Sequence, residues 1–189
     1  MIYICSKCLI FTYNKQGYQN NVSLLKNTFF EIVRGGYKMP RGIHQLEVDI
    51  PIERVWSFVS DIDKWAPLVP GYMEHKVLNE NQSTWKFKGD LGFVQKTVNL
   101  KIDITKWQKP TKITFHLTGL DENFTGKGFF EAQSLGKQMT KVTGSLDITA
   151  KGMMGPMINS VLKSFVPKTT KEFTESVAEK MVEIETVTT

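Results

Sequence analysis

Three histidines, one lysine and a Cys-x-x-Cys pair are the side chains whose type and spacing could carry chemistry. His44 shares strand parity with Leu46 and Val48, and His75 shares it with Met73 and Val77, so either could face an interior. His116 alternates out of phase with Phe115 and Leu117 and is expected outside. An inward histidine beside a polar partner would be a general base, the group a cyclase or dehydratase needs. The ordinary role of such a residue is a polar strand end rather than a catalyst. Lys96 shares parity with Val98 and would stand at a cavity mouth, unless a bulge between them reverses it. The carboxylates fall mainly on outward positions or in turns. Cys5-x-x-Cys8 has zinc or redox spacing, but no second cysteine pair or nearby histidine completes it. No catalytic residue, metal site or cofactor is therefore assigned.

The elements that would position these residues are legible. Val55, Phe58, Val59 and Ile62 recur at helical spacing after Pro51. Asp61 is placed to cap a second short helix over residues 62–68, carrying Trp65 and Leu68. Pro70-Gly71 ends the helical stretch. Leu46, Val48 and Ile50 alternate with Glu47 and Asp49, which predicts a half-buried strand. Six further alternating runs follow, over about 72–78, 85–88, 98–104, 113–117, 124–132 and 142–148. Their short connections predict an antiparallel meander. After a Gly152–Pro156 hinge, Met157, Val161, Phe165, Phe173, Val177, Met181 and Ile184 predict one long helix with an apolar stripe. Pro167 is expected to kink or divide it near Val166.

The 189 residues suit one domain of ordinary globular composition. The net charge of +5 is concentrated at the start, where Lys7, Lys15, Lys26, Arg34 and Lys38 face Glu31 alone. The remainder keeps only +1, so no nucleic-acid partner is expected. Residues 1–38 read as a leader outside the domain. Arg34-Gly35-Gly36 can be encoded by a purine-rich ribosome-binding sequence, with Met39 at the usual spacing. Met39 is thus the expected native start, and 39–189 the domain. No apolar run is long enough to span a bilayer and the leader lacks a signal-peptide pattern, so a cytoplasmic protein is expected.

The order strand, two short helices, six strands, long helix resembles the helix-grip fold of the START-like (SRPBCC) superfamily, over about residues 41–185. Within it, Val55-Trp56, Asp61, Trp65-Ala66, Pro70-Gly71, Gly144 and the 152–157 hinge are similar to the carbon-monoxide-dehydrogenase G-subunit family. The resemblance implies an α+β fold: a curved antiparallel sheet of about seven strands wrapped round the long C-terminal helix, enclosing an apolar cavity. It also implies a peripheral membrane or redox-enzyme partner. The expected lining is Trp65, Leu68, Trp85, Phe87, Leu100, Ile102, Phe115, Leu117, Met157, Val161 and Phe165.

Three roles follow. The leading one is a non-enzymatic carrier or sensor for a hydrophobic small molecule such as a lipid, isoprenoid or quinone. The second is a cyclase- or dehydratase-type enzyme using His44 or His75. The third is an interaction module whose core is simply filled.

Overall fold

A computed structural model describes residues 40–90 and 95–188. The leader, Cys5, Cys8 and the expected start at Met39 lie outside the described residues. Strand β1 (Arg41–Val48) leads through Pro51 into helix α1 (Ile52–Val59). Helix α2 (Ile62–Trp65) follows and tightens into a 3-10 turn over Ala66–Leu68. Asp61 caps α2 by accepting the Asp63 N–H at 3.2 Å. Gly71 then takes φ of 77°, where a side chain would be strained.

Six strands form the meander: β2 (Tyr72–Asn79), β3 (Gln82–Asp90), β4 (Gln95–Gln108), β5 (Lys112–Gly119), β6 (Phe124–Ser134) and β7 (Thr140–Ala150). β1 returns beside β7, giving one antiparallel sheet in the order β1-β7-β6-β5-β4-β3-β2. Helix α3 (Gly155–Thr188) packs over β1 and β7. This is the α+β helix-grip architecture.

Two glycines identify the face that meets α3. A Cβ at Gly42 would collide with the Thr170 side chain, and one at Gly144 with the Thr174 hydroxyl. Antiparallel partners share a face, so the register carries this assignment across the sheet. Gly144 pairs with His44 and Phe130, Leu146 with Gly128, Gly128 with Phe115, and Ile102 with Leu117 and Ser83. Trp85 lies opposite Leu100 and His75, and Phe87 opposite Val98 and Tyr72. All of these belong to the concave face.

Helix α3 differs from the sequence expectation in three ways. It begins at Gly155, two residues early, because Pro156 sits in the first turn where a missing N–H costs nothing. It runs unbroken through Pro167. Its sheet-facing row is Leu162, Val166, Thr170, Thr174, Ala178 and Met181, all buried. The threonines tolerate burial because each hydroxyl donates to its own helix, Thr170 to the Val166 carbonyl at 2.8 Å and Thr174 to that of Thr170 at 2.7 Å. Met157, expected on this face, is instead 44% exposed. It lies nine residues before Val166, two and a half turns, and so projects from the opposite side.

The core has two parts. Val55, Trp56, Phe58 and Val59 of α1 pack with Val48, Ile113, Val142 and Met181. Near the start of α3, Leu162 and Val166 pack on Ala150, with Phe124, Leu146, Ile148 and Phe165 at their margin.

Candidate functional site

Six aromatic side chains converge on the concave side from α2, β2, β3 and α3. Trp85 is the hub, 3% exposed. Trp65 stacks on it at 5.5 Å between centroids, Phe87 at 5.7 Å and His75 at 5.1 Å. Tyr72 meets it edge-on at 6.3 Å, and Phe173 of α3 reaches Trp65 at 5.7 Å. Offset and edge contacts at these spacings are favourable beyond the area they bury. The polar edges are satisfied locally. Trp85 Nε1 donates to Ser83 Oγ at 2.7 Å, and Trp65 Nε1 to the Val59 carbonyl at 3.0 Å. Both indoles are therefore held at fixed orientations.

One end of this wall is polar. Tyr72 Oη lies 2.8 Å from His75 Nδ1, and His75 Nε2 lies 2.9 Å from Asp63 Oδ1. The imidazole is 9% exposed, whereas the Asp63 side chain is 78% exposed. An ionised carboxylate can only accept, so Nε2 carries a hydrogen, and in neutral His75 Nδ1 accepts from the phenol. A carboxylate, an imidazole and a phenol in series can move a proton between the wall and solvent.

The remaining expected residues fall into three groups. Trp65, Trp85 and Phe87 belong to the aromatic wall. Leu100, Ile102 and Phe115 are half-buried on the same sheet face, and Leu117 is 5% exposed. The Phe115 ring occupies the space above Gly128, and Leu117 that above Gly126. Leu68 packs beside Trp65 at the margin of the larger core, while Val161 and Phe165 are half-buried on α3. Two surface hollows lie elsewhere. One, of about 560 Å³, sits on the other flank of α3 between Leu46, Ala178 and Val182, and is rimmed by Glu175 and Glu179. The other, of about 510 Å³, lies between Trp56 and Pro110.

His44 is on the helix-facing side, its Nε2 3.4 Å from Glu175 Oε1 of α3. His116 is exposed, as alternation requires. Lys96 keeps the parity of Val98, with no bulge between them, and pairs with Glu122. Asp63 and Tyr72 escaped sequence reasoning as site residues, and Phe173 was expected only as part of the apolar stripe of α3. Asp63 sits in a one-turn helix without periodicity, and its distance to His75 depends on how α2 folds over β2.

A family model matches residues 39–185. The fold is START-like. A START superfamily protein from Mycobacterium smegmatis is similar at TM-score 0.56 and 16% identity, over 76% of this chain and 98% of that one. The ZhuI aromatase/cyclase from Streptomyces sp. R1128 is similar at TM-score 0.60 and 15% identity, over 76% and 93%. A conserved protein from Geobacillus kaustophilus is similar at TM-score 0.61 and 14% identity, over 76% and 95%. At these identities the likeness concerns the START-like fold alone. No curated protein matches the sequence.

Proposed function

We propose that this START-like domain binds a hydrophobic small molecule, such as a lipid, isoprenoid or quinone, on the concave face between β3–β5 and α3. The observation that carries the reading is the incomplete burial of that face. Phe87, Leu100, Ile102, Phe115, Leu146 and Ile148 all point to the helix side of the sheet, yet each keeps part of its surface accessible. α3 packs mainly over β1 and β7, and in this reading the ligand would cover the accessible remainder of the face. A carrier or sensor requires no more than this. Kinship with the carbon-monoxide-dehydrogenase G-subunit family is part of the same proposal and would add a redox-enzyme or membrane-surface partner. It rests on Val55-Trp56, Trp65-Ala66 and Pro70-Gly71. Native mass spectrometry of protein purified from its own host tests the binding reading. A co-purified apolar molecule that leaves on mild activation supports it; bare protein that also takes up no added lipid or quinone overturns it.

A second reading is favoured by one observation, the hydrogen bonds of His75 to a carboxylate and a phenol at the edge of this face. They would make the bound molecule a substrate rather than a cargo.

A further inference from the structure

We propose that Tyr72, His75 and Asp63 form a proton relay that makes the Tyr72 phenol a catalytic acid–base group for a planar, enolisable carbonyl compound. The inference rests on the binding reading above and names a substrate class for that same face. Phe87 lies directly opposite Tyr72 in the β2–β3 register, and both are half-buried. In this proposal a flat ligand lies on Phe87 with its carbonyl-bearing edge turned toward the phenol oxygen. Behind the phenol, His75 is fixed by stacking on Trp85 and by its bonds at 2.8 and 2.9 Å. Asp63 ends the chain in solvent, where protons enter and leave.

The reaction is a keto–enol interconversion. The C–H bond next to the carbonyl breaks, and its proton forms a new bond at Tyr72 Oη. In the same step the phenol's own proton moves to His75 Nδ1. The electron pair stays on the ligand as an enolate. The resulting imidazolium is held by Asp63, which accepts from Nε2. In the return step Nδ1 gives its proton back to Tyr72 Oη, and the phenol delivers one to the enolate oxygen. The net change is ketone to enol, with no oxidant, reductant or second reactant. Tyr72 is the catalytic residue; His75 and Asp63 act through it as positioning residues.

The test uses the full chain and 2-tetralone, a planar bicyclic ketone, in deuterium oxide. Proton NMR follows loss of the α-protons, and quenching of tryptophan emission gives the affinity. The wild type is expected to bind and to exchange the α-protons faster than buffer. Tyr72→Phe is expected to lose about a hundredfold in saturated rate at unchanged affinity, and exposed Asp63→Asn about tenfold. Binding without acceleration over buffer overturns the relay and leaves the binding reading standing. Wild-type rates in Y72F or D63N also overturn it. Absence of binding overturns the relay for this substrate class and counts against the binding reading as well.

Discussion

The imidazole of His75 lies against the indole of Trp85, with centroids 5.1 Å and planes 30° apart. Strand pairing dictates this contact, because the two residues face each other across β2 and β3. Cross-strand neighbours on one face are close enough for rings to touch. The same indole carries Trp65 and Phe87, so the histidine that reaches Asp63 is anchored to the apolar wall. The aromatic wall and its polar end are thus one mechanical unit.

The close approach of α3 to the sheet should be sensitive to a single methyl group. Gly144→Ala should destabilise the domain by about 1–3 kcal/mol, since its Cβ meets the Thr174 hydroxyl. Removing that hydroxyl with Thr174→Ala should recover much of the loss. The nearest remaining Thr174 carbon is 3.5 Å away, an ordinary contact. Thermal unfolding of the single and double variants checks this, and strict additivity of the two losses would contradict it.

The alternating strands were legible because most of them carry apolar side chains on one face and polar ones on the other. The sheet-facing row of α3 was not, because threonines hold its centre. Thr170 and Thr174 are polar by type, and their burial is explained only by the helix carbonyls that accept their hydroxyls and the glycines beneath them. The parity of His75 was legible, but its partners were not. Asp63 lies twelve residues earlier on another element, and the Tyr72–Glu74 register shift hides the phenol's position.

Asn159 ties the first turns of α3 to the end of β7. Its amide oxygen accepts the Ala150 N–H at 2.8 Å, and its amide nitrogen donates to the Ala150 carbonyl at 2.9 Å. Asn159→Ala leaves both backbone groups without this partner and should cost about 2 kcal/mol. Asn159→Asp keeps the acceptor and loses the donor, so it should fall between. Denaturant midpoints at constant slope report the order.

Pro167 is exposed within a continuous helix. Its ring excludes a backbone donor and crowds the preceding turn. Pro167→Ala should therefore stabilise the domain, by up to about 3 kcal/mol. Chemical denaturation measures it; a loss of stability would mean that the ring makes a packing contact worth more than the missing hydrogen bond.

An apolar chain burying about ten methylenes against the concave face would gain roughly 8 kcal/mol. That corresponds to about micromolar affinity before ordering costs. Binding should be governed by chain length, tolerate changes of head group and vary little with salt.

The most direct measurement of the central claim is a titration of the full chain with a fluorescent fatty acid or a quinone analogue, read by quenching of tryptophan emission, in wild type and in Ile102→Glu. Ile102 is half-buried on the concave face beside Ser83 and Leu117, so a carboxylate there charges that face. Saturable uptake by the wild type, weakened at least tenfold in a folded Ile102→Glu, is the predicted result. Equal uptake by both proteins, or none by a folded wild type, would contradict binding on this face.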